Sequence, residues 1–392
     1  MDLRADGSGS AAKNWFPIGM GIGALMLLCL AIGMYQVFVV GHHTLANTKE
    51  VPWNIFIVFY ACAISSIGLS YIASFGIVLG IKQFDVIAKR ATFLAILIII
   101  AGILSVASDL KQPLHAPYLL LTSHMTSALG MVAISINLYL ALIIAELYLL
   151  MKRGHNDSLV RVVAIASFIT ALVVHSYHGA IFGLAYSRSF WQGTYYPIYF
   201  LLSALFASSA IIILVTNLTY KVTGKQMTEK LKDSLRTIGK MLAYLLAIGM
   251  FFLYWKMTST AYFYKPEAGI LLSGSFRVNF WVFEVLIGYI LPIIILFYAR
   301  FKDINKMAFA SLLVLIGLFV GRYDFIIVGQ LNPYLGFVPF DSDLGGSAAT
   351  LASYAPNLTE IVYTIGLTGI VWVGYILGIK YLPLSKDEDE EQ

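Results

Sequence analysis

Charge is what this sequence has least of. Only 12% of its 392 residues are Asp, Glu, Lys or Arg, against about 25% in a soluble globular domain. With 59% hydrophobic residues, an ordinary water-soluble fold is excluded. Cysteine is nearly absent. Cys29 and Cys62 both sit in apolar runs, which excludes a disulfide framework and a resident iron–sulfur cluster, since a cluster takes about four thiolates. Both read as small buried apolar residues. No short repeat period recurs, which excludes a solenoid. The first apolar run, Pro17 to Val40, lacks an A-x-A cleavage pattern and is too long for a signal-peptide core. It reads as a retained helix.

What the chain has instead is apolar length. Ten runs exceed the roughly 18 residues that a membrane helix needs: 17–40, 53–81, 91–110, 117–151, 160–184, 195–220, 238–257, 278–299, 307–328 and 359–381. The fold class is all-α integral membrane protein, because lipid offers backbone polar groups no partners outside a helix. The fourth run spans 35 residues, so tilt or protrusion is expected of it. Residues 1–16 form a short polar tail, and 383–392, ending in SKDEDEEQ, an acidic solvated one.

Lys and Arg bias sets topology. The segments on the side of the termini hold 19 of them and the opposite side 7, which places both termini in the cytoplasm. The most basic segment, 221–240, reads as an anchor on anionic lipid. No nucleic-acid partner is expected.

Orientation then assigns depth to the ionisable residues, which are costly inside spans and mark cavities, partners or function. Asp109 falls at the outer end of span 3, His124 in the outer third of span 4, and His175 and His178 towards the outer side of span 5. The last two are three residues apart and share a helix face. Glu284, Arg322, Asp324 and Glu360 lie in the outer parts of spans 8, 9 and 10. Glu146 and Asn217 lie towards the inner side, and Asn137 near the middle. A pocket lined by His, Asp and Tyr between apolar walls suits a quinone, which needs a donor at each carbonyl and groups that exchange protons as electrons arrive.

At these residues the chain resembles the NrfD/polysulfide-reductase-type membrane subunit family, in its ten-helix branch. The likeness covers roughly residues 50–380. It is carried by "VPWNIFIVFY", by "SDLKQP" with Asp109, by the order of His178, Trp191, Pro197 and a Ser/Ala-rich span 6, by "WVFEVLIGYILP" and by "GRYDFIIVG". Asn54 stands where the family has Gly, and Lys111 and Gln112 follow Asp109 where the family often has Gly and Arg.

The resemblance implies two four-helix bundles, spans 2–5 (53–184) and 6–9 (195–328), flanked by spans 1 and 10. It implies a quinone-reactive subunit of the inner (cytoplasmic) membrane without haem or metal. A ferredoxin-like iron–sulfur subunit would dock on the outer face, with further catalytic or cytochrome subunits. Asp109 and His178 become the quinone-binding candidates through the resemblance; His124 and Tyr177 join them by depth. Trp191 and Arg322 would support the site or meet the partner. Glu284, Glu360 and Glu146 could line a proton path. The long segment 329–358, rich in Gly, Pro and Tyr, reads as a docking loop, with 258–277 next.

Two other readings stay open. A di-haem cytochrome b needs facing histidine pairs. His124 and His178 could form one, while His175 shares a helix with His178, and His42, His43, His115 and His155 fall in loops or at span ends. A secondary transporter would suit ten spans with in-membrane Glu and Arg. Transporters commonly break helices at Gly or Pro near the midplane, whereas the prolines here lie mostly in loops or at span ends.

Overall fold

The computed structural model describes residues 9–124, 126–154, 157–331 and 352–384, with side chains from Asn14 onward. Ten helices among them are long and apolar enough to cross a membrane: α1 (Asn14–Val40), α2 (Ile55–Leu79), α3 (Lys82–Asp109), α4 (Ala128–Arg153), α5 (Ser158–Gly183), α6 (Tyr195–Thr223), α7 (Glu229–Tyr262), α8 (Asn279–Tyr298), α9 (Ile304–Leu331) and α10 (Leu358–Tyr381). No strand occurs among the described residues. Side-chain caps start several helices where the first N–H groups lack partners. Asn54, Ser127, Asp157, Thr228 and Asn357 accept from Phe56, Gly130, Leu159, Leu231 and Glu360 backbone N–H groups.

The helices alternate in direction. The start of α1 and the end of α10 therefore lie at one end of the described molecule, here the near end, with Asp109 and His178 towards the far end. Helix α2 packs on α3, α4 packs on α5, and α6 packs on α5, α7 and α9. Helices α1 and α10 pair with each other, and α10 also lies on α3. Glycines set the closest approaches. A Cβ on Gly288 or Gly317 would meet the other's backbone, and one on Gly366 would meet Leu30.

Four expectations change. Span 4 is not one helix of 35 residues. A short helix Tyr118–Thr122 is followed by a break, and α4 starts only after the Ser127 cap. The first helix begins at Gly9, so Pro17 lies inside it and much of the expected 1–16 tail is helical. Helix α2, expected to be continuous, is interrupted at Ser66 and Ile67, between Ile55–Ser65 and Gly68–Leu79. Helix α8 opens as a wide π-helical stretch, Asn279–Ile290, ahead of Pro292. Proline cannot donate to the carbonyl one α-turn earlier, and the wider register precedes it. Of the expected 329–358 docking loop, residues 332–351 lie outside the described residues, as do His155 and residues 385–392 of the acidic tail.

The α2 break contains no proline. Its cause is packing. At Gly68 the backbone of α2 runs against the Ala204 carbonyl and the Ser208 hydroxyl of α6, where a side chain would not fit. The carbonyls at the break are met from neighbouring helices: the Ser208 hydroxyl donates to Ser65 O at 3.3 Å, and His175 of α5 lies 3.1 Å from Ile64 O, which also accepts from Ile67 N at 3.0 Å. Such satisfaction is what permits irregular backbone at membrane depth.

Replacing Gly68 by Val should therefore lower stability by about 1–3 kcal/mol through overpacking. Gly21→Ala, with open space around the position, should stay within about 0.5 kcal/mol of the parent. Unfolding in detergent checks both, and equal stabilities would contradict the packing account.

Candidate functional site

Two histidines one turn apart on α5 meet two tyrosines of α2. His178 Nδ1 lies 2.8 Å from Val174 O. A carbonyl only accepts, so Nδ1 carries the proton. Nε2 then accepts from the Tyr60 hydroxyl at 2.6 Å. His175 is placed differently. It has a carbonyl at each ring nitrogen: Nε2 lies 3.1 Å from Ile64 O, and Nδ1 lies 3.0 Å from Ala171 O and 2.8 Å from the Tyr71 hydroxyl. Both imidazoles are buried. His175 thus fastens the α2 break, whereas His178 holds a single exchangeable hydroxyl contact.

The surroundings of that contact differ along α2. The near half, Gly68–Leu79, packs closely on α5 and α6, while the far half, Ile55–Ser65, packs on α3 and α9 and not closely on α5. The Tyr60–His178 hydrogen bond joins the far half of α2 to α5. Tyr60 and Tyr177 are both half-buried.

Asp109 stands nearer the far rim. Gly102 of α3 lies beside Tyr60, and Asp109, seven residues on, is about 10 Å further along the helix. It accepts from Asn47 Nδ2 at 3.3 Å, and Asn47 Oδ1 accepts from Asn54 at 2.7 Å. The four groups expected to converge therefore separate. His175 and His178, on α5, bond to α2, Asp109 belongs to the rim, and His124 lies outside α4 altogether. His124 is exposed in the break before that helix and bonds Thr126 at 2.8 Å. No hydrogen bond among the described residues joins His124 or Tyr177 to His178. Glu360 is fully buried as the capping-box residue of α10. Its oxygens accept from Ala46 N, Tyr354 Oη and Asn357 N at 2.9–3.1 Å.

A second polar group lies among α6–α9. Arg322 donates to Ser65 Oγ at 3.3 Å and to Ser203 Oγ, and its guanidinium lies 4.1 Å from the Phe200 ring centre. Arg322, Glu284, Lys256, Tyr199 and Tyr289 line one small cavity. Glu284 rests against Gly321, and Asp324 accepts from Asn279 at 3.0 Å. The Lys256 ammonium is caged by Phe190 at 4.6 Å and Phe325 at 4.9 Å. Two cations and two acids thus share this region without a direct ion pair among the described residues. Glu146 is fully buried elsewhere, between α4 and α5. It accepts from Ser167, and its other oxygen has no partner among the described residues. Asn137 bonds its own helix at Ala133 O and is exposed.

Trp191 closes the far end. Its indole N–H donates to Phe325 O at 2.8 Å, its ring stacks on Trp53 at 5.2 Å, and it packs on Gly329. Gln330 ties Trp53 N and O to the end of α9 at 2.9 and 3.0 Å. Beyond the spans, Lys265 donates to Ser189 O, and burial pulls its amine below the usual lysine value despite Glu267.

Sequence reading missed Tyr60, Tyr71 and Lys256. Tyrosines are common in this chain, with 24 of them, so neither carried a signal. Lys256, a lone cation within "GMFFLYWKMTSTAY", did. The donor set does not suit a bis-histidine haem. His175 and His178 share one helix, the Nε2 of each is committed to α2, and His124 is exposed.

A family model described as "Polysulphide reductase, NrfD" matches residues 43–333. A selenate reductase subunit of Mesobacillus selenatarsenatis is 26% identical over 388 residues, covering 88% of this chain and 89% of its own. An Hdr-like menaquinol oxidoreductase integral membrane subunit of Archaeoglobus fulgidus is 26% identical over 382 residues, covering 92% of each. A probable Ni/Fe-hydrogenase 2 b-type cytochrome subunit of Escherichia coli is 24% identical over 387 residues, covering 92% and 91%.

The two histidines should separate in mutants. His175→Ala leaves the buried Tyr71 hydroxyl unmet and removes the α5 contact at Ile64 O, and should cost about 1–3 kcal/mol, read as a lower melting temperature and folded yield in detergent. His178→Gln, which keeps a polar group for Tyr60, should lose less. The reverse order would show that His178 is the structural one.

Proposed function

Because the chain belongs to the NrfD polysulphide reductase family, we propose that it is the quinone-reactive membrane subunit of an oxidoreductase complex, with its site at Tyr60 and His178. The observation that carries this reading is the donor–acceptor pair linking the far half of α2 to α5 at membrane depth. Reduction of a quinone to the quinol takes two electrons and two protons, and oxidation returns them. The Tyr60 hydroxyl can donate to a quinone carbonyl. Once Tyr60 turns its hydroxyl to the quinone, the His178 Nε2 lone pair it had occupied can accept the proton of a quinol hydroxyl, with Nδ1 held by Val174 O. The apolar side chains of the neighbouring helices take the tail. Asp109, about two turns outward, links the site to the rim through Asn47. The A. fulgidus relative's name favours menaquinone.

The chain has too few cysteines for its own cluster, so electrons come from a partner. We place a ferredoxin-like iron–sulfur subunit on the far face. Phe263 and Tyr264 are exposed there beyond α7 at 67% and 93%, as an apolar contact surface would be. The Lys and Arg bias puts this face outside the cytoplasmic membrane and both termini inside. The group around Glu284, Lys256 and Arg322 would link quinone chemistry to proton transfer, with Glu146 serving the near half. A transporter remains the rival of another class. The α2 break removes one argument against it, since that argument assumed continuous helices. Co-purification of an iron–sulfur protein separates the two.

His178→Ala, Tyr60→Phe and Asp109→Asn should each lower quinone-linked electron transfer, the first by about 10²–10⁴-fold, with assembly of the complex unchanged. Normal menaquinol turnover in all three would sink the site. Glu284→Gln should reduce proton release per electron while the chain still assembles; unchanged turnover and release would remove Glu284 from the proposal.

A further inference from the structure

The largest cavity described lies away from Tyr60 and His178. It has a volume of about 630 Å³, within the usual range of about 300–1,000 Å³ for ligand sites. Its walls come from α1 and α10 on one side and from α2, α3, α6 and α9 on the other. Along α10 it runs from Thr364 to Ile379, about 22 Å of helical rise. One leaflet of hydrocarbon is about 15 Å deep. The cavity thus has the length of a lipid chain and reaches from the near end past mid-membrane.

The chemistry of the walls selects the occupant. The lining holds no carboxylate and no imidazole, so nothing there exchanges protons with a quinone ring. At the near end the one prominent hydroxyl, Tyr375, is already engaged. Arg90 donates to it at 2.9 Å, and its own proton is taken by Thr219, whose hydroxyl donates to Val215 O. A carbonyl head would find that donor taken. At this end Arg90 stands behind Tyr375, Lys380 follows the lining residue Ile379 with its ammonium 3.5 Å from the Phe16 ring centre, and Lys221 lies one residue before the lining residue Val222. Among the described acids on this face, Glu229, Asp233 and Asp303 are paired with Lys232, Arg236 and Lys306; the acidic residues 387–391 follow in the sequence, outside the described residues. Basic pockets between spanning helices on the cytoplasmic side are sites for anionic headgroups.

We infer that an anionic phospholipid of the near leaflet inserts an acyl chain between the α1–α10 pair and the other helices, with its phosphate at the Lys221–Lys380 rim. It serves as structural filler that joins the outer helix pair to the bundle. The site shares no residue with the proposed quinone site, so either idea can fail alone.

Native mass spectrometry of the full chain, extracted in mild detergent, tests this. The parent should retain one phospholipid adduct, with phosphatidylglycerol kept at least about tenfold over phosphatidylcholine when both are offered, about 1.4 kcal/mol. Thr368→Trp and Val215→Trp, two independent ways to fill the cavity, should each lower the adduct about tenfold while gel filtration stays monodisperse. Lys221→Gln with Lys380→Gln should remove the headgroup preference but keep the acyl adduct. Retention of the adduct in whichever filled variant folds, an adduct of quinone mass lost on filling, or no anionic preference would each overturn the inference.

Discussion

The interruption of α2 is the constraint on which the other contacts are arranged. In hydrocarbon a carbonyl without a donor costs several kcal/mol, and here the Ser65 carbonyl leaves the helical ladder at mid-span while Ile64 O beside it keeps only a tight-turn bond from Ile67 N. Three helices answer. His175 comes from α5, Ser208 from α6, and Arg322 of α9 binds the Ser65 hydroxyl one residue away. Each is fixed by a further contact: Tyr71 for His175, Ser203 and the Phe200 face for Arg322. The centre of the molecule is therefore a polar knot inside an apolar sheath. Its members are neutral except for one guanidinium, whose charge spreads over aromatic faces rather than onto a carboxylate. Loss of any member exposes another polar atom to lipid.

This arrangement also explains why the chemistry would sit where it does. Once His175 is committed to Ile64, the helix geometry of α5 carries His178 onto the same face one turn outward. That turn lies where α2 has moved away from α5 towards α3 and α9. The structural histidine thus delivers its neighbour to the less closely packed part of the interface. The far rim above is closed by Trp53, Trp191 and Gln330, which hold the ends of α2 and α9 together.

The ten spans were legible because each is a long apolar run with few charges, a signal that depends only on transfer out of water. Their interruptions were not. Ser66 and Ile67 resemble any helix residue, and only Gly68, pressed on Ala204, shows why the chain breaks there. His178 stood out in sequence as an ionisable group at membrane depth, but its partner Tyr60 did not, being one of many tyrosines. The same depth argument misplaced His124, because it assumed that α4 continued past Ser127. For Glu360 the position after Asn357 is a capping box, and that local pattern outweighed its depth. Lys256 was readable and overlooked; its aromatic cage needed the far-apart Phe190 and Phe325 to be seen together.

The π-helical opening of α8 makes the aim of one acid depend on chain length. Wide turns hold more residues than α turns, so Asn279–Ile290 stores surplus backbone. Glu284 sits in the middle of it, pointed at Gly321 with no hydrogen bond among the described residues to keep it there. Trimming a single residue nearby would rotate that carboxyl, with the rest of its turn, by about 100° and swing it out of its cavity. In relatives, gaps at this point would therefore mark a change of chemistry more reliably than substitutions do.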